Sequence, residues 1–260
     1  MVTIDPKKCI GCQRCVSICP FTVLSMVNGK AALNADKFCL ECMHCAAICP
    51  SGAISLGNEA GILPGGLPIL PEDMPTLLKD FLMVRRSYRH FEPAPVDPDM
   101  VAHALQVASW APSAKNQHPT KWIVVNDPEK ITMIMGHILD YVKETGVSKE
   151  IASEYAQGNN VVTGTASTLI LAYCRTSSIN PAVDSALALY SAELILQSAG
   201  IGTCWAGYLT RMCNAVPALK DMLELPEGYS FYGALMAGIP KDETYIHIPK
   251  RRTPPDIRWL

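Results

Sequence analysis

Cys9-Ile-Gly-Cys12-Gln-Arg-Cys15-Val-Ser-Ile-Cys19-Pro20 recurs thirty residues on as Cys39-Leu-Glu-Cys42-Met-His-Cys45-Ala-Ala-Ile-Cys49-Pro50. These two runs hold eight of the 11 cysteines in a chain of 260 residues, and the other three, Cys174, Cys204 and Cys213, lie far downstream. Three thiols within seven residues can wrap one face of a metal centre, while the proline after the fourth turns the chain and carries that cysteine elsewhere. The spacing C-x2-C-x2-C-x3-C-P is that of iron–sulfur ligation, and its duplication predicts two interlocked [4Fe–4S] clusters. One takes Cys9, Cys12, Cys15 and Cys49; the other takes Cys39, Cys42, Cys45 and Cys19. Zinc on four thiols is the competing reading, but it uses separated Cys-x2-Cys pairs and not four-cysteine runs ending in proline. Ile10, Val16, Ile18, Ile48 and Ile54 are expected to exclude water from the clusters.

Lys and Arg number 22 against 24 Asp and Glu, a formal charge of −2, so nothing in the overall charge calls for nucleic acid or anionic lipid. With 49% hydrophobic and 18% charged residues the chain folds around a core and is not disordered. Met1-Val-Thr-Ile-Asp5 lacks the basic and apolar regions of a secretory signal, which points to the cytoplasm, where reduced thiols favour metal over disulfide. The longest uncharged run, 155–174, is broken by Gly158, Asn159 and Asn160 and reads as loop plus buried strand, so no membrane span is expected.

Residues 57–71 contain four Gly and three Pro and read as a linker between an iron–sulfur domain, 1–56, and a larger domain, 72–260. In the latter, helices are expected over 72–85, over 97–110 with Asp97 as cap and Pro98 at the first position, over 129–157 in two pieces, and over 182–199 with Gly200 as stop. Strands are expected over 122–125, 168–174 and 231–237. The fold class is therefore α+β, a central sheet flanked by helices behind a small iron–sulfur domain.

The larger domain has neither a G-x-G-x-x-G following a strand nor a P-loop, which speaks against a Rossmann nucleotide site and ATP-driven chemistry. It does contain Arg85-Arg86-Ser87-Tyr88-Arg89. In an extended backbone Arg85, Ser87 and Arg89 point one way and form a phosphate clamp; an exposed basic helix end is the alternative. Three further segments follow: Pro112-Ser113-Ala114-Lys115-Asn116-Gln117, the glycine-rich 200–207, and Pro249-Lys250-Arg251-Arg252. In this order the four segments resemble the FMN-dependent nitroreductase family over about residues 74–252, and 1–56 resembles a two-cluster bacterial ferredoxin. The whole chain is similar to ferredoxin–nitroreductase fusions of anaerobic bacteria and archaea.

The resemblance implies that Arg85, Ser87, Arg89, Lys250 and Arg252 hold the phosphate and ribityl end of FMN. It implies that Pro112, Ser113, Ala114 and Asn116 reach the flavin of a neighbouring subunit, hence a homodimer with FMN at its interface. Ala206 and Gly207 match the turn whose N–H approaches flavin N5. After Gln117, where the family often reads Pro-Trp, this chain has His118-Pro119-Thr120-Lys121-Trp122. His118 reads either as a proton donor or as a surface histidine, and no catalytic residue is assigned. Cys174, Cys204 and Cys213 read as buried packing residues, Met133, Met135, Met222 and Met236 as core, and Asp184 as a cap or buried acceptor. Clusters pass single electrons and a flavin exchanges one or two, so the combination implies an oxidoreductase relaying electrons between clusters and FMN to a small electron-poor acceptor, nitroaromatic or quinone. Reduced ferredoxin or NAD(P)H is the expected donor. The alternative is a non-catalytic redox sensor or electron-carrier partner using the same cofactors.

Overall fold

The cysteine repeat is also a repeat of backbone. Each run steps through left-handed residues at equivalent places, Gly11 and Gln13 (φ 71° and 64°) and then Glu41 and Met43 (φ 53° and 59°). Each then enters a short helix, α1 (Arg14–Ile18) or α2 (His44–Ala47). At Gly11 the repeat has no latitude, because a Cβ there would stand 2.4 Å from the Gly29 carbonyl oxygen. The computed structural model describes residues 2–57, 59, 60, 63, 66–241, 245–250 and 253–260, with Glu59 and Ala60 described by backbone alone. Contacts divide the chain into two units, Met1–Pro71 with Lys115–Gln117, and Glu72–Ala114 with His118–Leu260.

In the first unit β1 (Val2–Ile4) pairs antiparallel with β4 (Ile54–Leu56), and β2 (Leu24–Val27) pairs with β3 (Lys30–Leu33). Within the glycine- and proline-rich 57–71, β5 (Glu59–Ala60) turns back onto β4. Val2, Leu24, Ala31, Ala46, Ala53 and Ile54 form a small core together with Cys9 and Cys15.

The second unit is built on a four-stranded antiparallel sheet in the order β6-β7-β9-β8, from β6 (Lys121–Val125), β7 (Thr168–Arg175), β9 (Tyr229–Gly238) and β8 (Gly202–Trp205). Period-two alternation sends Ile170, Ala172, Leu235 and Ala237 to one face. There they meet Val101 and Ala104 of α4 (Pro98–Ala108) and Leu189 and Leu196 of α7 (Pro181–Ser198). Leu169, Leu171, Ala234 and Met236 face the other layer, α5 (Pro128–Thr145), α6 (Lys149–Ala156), α8 (Gly207–Ala215) and α9 (Pro217–Met222), through Ile134, Ile138, Ile151, Leu209, Met212 and Leu219. Strands covered on both faces read as nearly continuous apolar runs, which is why 168–174 and 231–237 are visible in sequence. Asp97 caps α4 by accepting from Asp99 N–H, with Pro98 at the first position, and Gly200 (φ 81°) lies just beyond α7.

Some expectations need correction. The list of expected strands lacks one: Gly202–Trp205, within the glycine-rich 200–207, is strand β8. Met133 is 53% exposed on α5 and does not fill the core, whereas Met135 and Met236 do. No described helix is long and apolar enough to cross a membrane. Two apolar surfaces remain uncovered in the single chain. One is α3 (Met74–Val84), which has no buried residue and exposes Leu77, Leu78, Leu82 and Met83; the other is the outer face of α7, which exposes Val183, Leu187 and Tyr190.

The segment after Ser87 is tied to the loop before β7. Thr165 Oγ1 accepts the Phe91 N–H at 2.7 Å and donates to the Phe91 carbonyl at 3.0 Å. Gly164 has φ 56°, and a Cβ there would come within 2.4 Å of the Arg89 carbonyl oxygen. Gly164→Ala is expected to destabilise the unit by about 2 kcal/mol or more, left-handed strain plus the overlap, read as a fall in the urea midpoint without a change in slope.

Candidate functional site

The eight repeat cysteines sort into two sets. Cys9, Cys12, Cys15 and Cys49 line one cavity, beside Ala31 and Ile54. Cys19, Cys39, Cys42 and Cys45 line another, beside Leu24 and Leu33. The sets cross, since the last cysteine of each run joins the other run's first three. Backbone donors meet the sulfurs at places equivalent in the repeat: Val23 N–H to Cys19 Sγ at 3.3 Å and Ala53 N–H to Cys49 Sγ at 3.4 Å. Ala31 N–H reaches Cys9 Sγ at 3.5 Å and, with Gly11 N–H, holds that thiol below its ordinary pKa. Burial pushes Cys15 up, and Cys45 up to about 11. At Cys49 burial raises the pKa, but the Ala53 N–H and the Ser51 donors together outweigh it and leave the group lowered. Crossed thiol quartets served by N–H donors fit iron–sulfur ligation. The apolar shell is looser than expected: Ile54 is buried and Val16 packs beside it, but Ile10 is 66% and Ile18 42% exposed.

The second unit brings 85–89 onto the β8 edge. Ser87 forms a parallel bridge with Thr203, and Tyr88 N–H donates to the Thr203 carbonyl at 2.9 Å, so the backbone there is extended. Arg85 does not point freely outward. Its Nη1 lies 3.1 Å from Glu193 Oε1, and Glu193 on α7 is wholly buried. The same carboxylate accepts from Trp205 Nε1 at 2.7 Å, and from Gln197 Nε2 and Thr203 Oγ1 at 3.3 Å each. Arg89 is exposed, and Ser87 is half-buried next to Cys204. Arg86 fits the helix-end alternative, donating to the Met83 and Arg85 carbonyls and standing 5.7 Å from the Tyr245 ring centroid. Lys250 is exposed, and Arg251 and Arg252 lie outside the described residues.

Ala206 and Gly207 lie at the start of α8. Ala206 N–H is already given to the Ala234 carbonyl at 2.8 Å, whereas Gly207 opens the helix, where geometry supplies no intrahelical acceptor. A Cβ on Gly207 would meet nothing within 4 Å, so a flat ring can approach that backbone. Ser87, Arg89, the remaining Arg85 donors and the Gly207 N–H are a donor set that suits a phosphate and a ring nitrogen.

Pro112, Ser113 and Ala114 lead into a tight turn in which Lys115, Asn116 and His118 are all left-handed (φ 50°, 55° and 43°). Asp184, a buried acceptor as expected, takes the Ala114 N–H at 2.9 Å, and Ser113 Oγ takes the His118 N–H at 2.9 Å. The two anchored segments leave α7 at Asp184 and Glu193, nine residues apart, which is about 13 Å along the helix and on opposite sides of it. Glu193 and Trp205 escape the sequence reading. The usable signal is that Asp184 and Glu193 are the only charged residues on an otherwise uncharged helix.

Sequence comparison matches residues 82–239 to the Nitroreductase family and residues 8–54 to the 4Fe-4S dicluster domain. An Archaeoglobus fulgidus protein described as an NADH dehydrogenase/NAD(P)H nitroreductase is 25% identical over 178 residues, 67% of this chain and 92% of its own length. Ferredoxin-2 of Desulfomicrobium norvegicum is 53% identical over 30 residues, 12% of this chain and 51% of that ferredoxin. Among solved structures, an FMN-bound nitroreductase from Bacteroides fragilis superimposes with a TM-score of 0.61 at 20% identity, covering 74% of this chain and 100% of that one. One from Desulfitobacterium hafniense gives 0.57 at 19% identity, covering 73% and 100%.

Removing the Glu193 carboxylate strands Arg85 and the Trp205 N–H. Glu193→Ala is expected to cost about 2–3 kcal/mol, below the figure for a fully buried pair because Arg85 keeps 27% of its side chain exposed, with Glu193→Gln losing less. Paired urea titrations measure the difference. Cys174, Cys204 and Cys213 are buried thiols whose pKa burial raises, Cys213 to about 12. Because only the thiolate is nucleophilic, iodoacetamide at pH 8 is expected to leave these three unmodified in the native protein, while chelator-stripped protein labels within 9–49; peptide mass mapping reads both.

Proposed function

The chain belongs to the nitroreductase family of oxidoreductases and carries a 4Fe-4S dicluster domain ahead of it, and we propose that it couples two [4Fe–4S] clusters to FMN and reduces a small electron-poor acceptor of the nitroaromatic or quinone type. The observation that carries this reading is the crossed sorting of eight cysteines into two quartets, in one chain with a nitroreductase unit. When bound, the clusters supply single electrons, and FMN supplies the exchange between one- and two-electron steps.

The protein's own groups bind and orient. Cys9, Cys12, Cys15 and Cys49 hold one cluster and Cys19, Cys39, Cys42 and Cys45 the other, with N–H donors stabilising thiolate charge. Ser87, Arg89, Arg85, Lys250 and Arg252 take the FMN phosphate and ribityl end, and Gly207 with Ala206 forms the backbone against the ring. Since the Ala206 N–H is already engaged, the donor toward N5 is assigned to Gly207. Pro112, Ser113, Ala114 and Asn116 serve the flavin of a second copy. Two features support that homodimer: uncovered apolar faces on α3 and α7, and anchorage of the two flavin-binding segments on opposite sides of α7. The protein works in the cytoplasm, with reduced ferredoxin or NAD(P)H as donor.

Anaerobically purified protein is expected to contain about eight iron, eight sulfide and one FMN per chain. In rapid mixing, dithionite-reduced clusters are expected to reduce FMN. Cys9→Ala is expected to lose about half the iron and the ferredoxin-driven route while keeping direct bleaching by NAD(P)H. Clusters that never reduce bound FMN would overturn the relay.

A further inference from the structure

The turn 112–118 passes through a 3-10 turn, Ala114–Asn116, with unusual backbone angles. Three of its residues are left-handed without being glycine, a state that persists only where surrounding structure imposes it. Side chains hold it at several points: His118 N–H donates to Ser113 Oγ and closes the turn on itself, Asn116 Nδ2 donates to the Glu41 carbonyl at 3.3 Å, and Ala114 N–H donates to Asp184 Oδ1 and fastens the turn to α7. The Asp184 bond is the one that fastens the turn to α7 by a buried side chain.

Asp184 is unusual for a structural acid. It is 4% exposed, and its Oδ2 has no hydrogen-bond partner among the described residues. The side chain lines a cavity of about 60 Å³ together with Ser109, Ser113, His118, Thr120 and Trp122. A buried carboxylate with one of its oxygens unsatisfied is costly, and the α7 N-terminus offsets only part of that cost. The one bond it does make lands on the segment assigned to a neighbouring flavin. We propose that Asp184 is a positioning residue: its Oδ1 sets the path of Ser113 and Ala114, and through them the affinity for FMN. This rests on the FMN reading of the same turn.

The test uses the full chain. FMN titration of flavin-stripped protein, followed by flavin fluorescence, is expected to show Asp184→Ala binding about tenfold weaker or worse, and Asp184→Asn, which keeps an acceptor for Ala114 N–H, within about threefold of the parent. Hydrogen exchange on the flavin-free chain is expected to show Ala114 and His118 amides faster in Asp184→Ala and unchanged in Asp184→Asn, with iron content and the β7 and β9 amides unaltered. Parent-like exchange at Ala114 with parent-like FMN affinity in Asp184→Ala overturns the proposal. So does a folded Asp184→Asn that loses as much as Asp184→Ala, and this variant decides the matter if Asp184→Ala fails to fold. A parent chain that takes up no FMN defeats the flavin reading instead, while exchange at Ala114 still tests the hold of Asp184 on the turn.

Discussion

A carboxylate with no water around it must be given donors by the protein, and Glu193 draws them from three stretches of chain. Arg85 comes from the segment after α3, Thr203 and Trp205 from β8, and Gln197 from one turn further along α7. Leaving any of these donors unmade costs on the order of a few kcal/mol, so the register of 85–89 on the β8 edge and the rotation of α7 are set together. That coupling gives the Ser87–Thr203 bridge its place and makes the extended arrangement of Arg85, Ser87 and Arg89 a property of the fold. It also takes one cation partly out of the proposed clamp, so that the anion binding proposed at this edge would lean on Arg89 and Ser87.

The first unit obeys a different constraint. On the proposed ligation, eight thiols have to reach two centres while the chain visits each run once, and a proline after the fourth cysteine makes same-run closure awkward. Exchange of the fourth ligand solves this, and it makes each quartet depend on both halves of the repeat. The backbone responds symmetrically, with left-handed steps at 11 and 41 and at 13 and 43, and with N–H donors at Val23 and Ala53 reaching Cys19 and Cys49. Symmetry stops where packing intrudes: position 11 must be glycine against the Gly29 carbonyl, while its counterpart carries Glu41 in the left-handed region.

What is legible in the sequence is what short-range chemistry dictates. Cysteine spacing points to iron–sulfur ligation without any knowledge of the fold, and β7, β9 and α7 announce themselves by long apolar runs. Less legible is whatever depends on partners distant in sequence. Strand β8 is four residues beginning with glycine, too short to show a period, and exists because β9 pairs with it. Helices α8 and α9 pass unnoticed behind a polar, proline-interrupted stretch, although Leu209, Met212 and Leu219 are fully buried or nearly so. Arg85 meets Glu193 across 108 residues, so a reading of 85–89 alone assigns all its cations to a ligand. Ile10 and Ile18 look like shell residues because they adjoin cysteines, yet adjacency to a ligand does not fix which way a side chain faces.

Helix α7 draws these strands of argument together. A helix at the surface of a lone chain normally keeps one polar side, but here Ala188, Leu189, Ala192 and Leu196 are buried while Val183, Leu187 and Tyr190 line the opposite, exposed side. Its two acids do not serve solubility either, since both are buried and each is hydrogen-bonded to one of the segments read as flavin-binding. Half-turn opposition between Asp184 and Glu193 directs those segments to different sides of the helix. In the proposed two-fold pair, a partner on the outer face of α7 would cover Val183, Leu187 and Tyr190. The apolar exterior is the surface such a pair would bury, while the buried acids hold the two segments on either side of it.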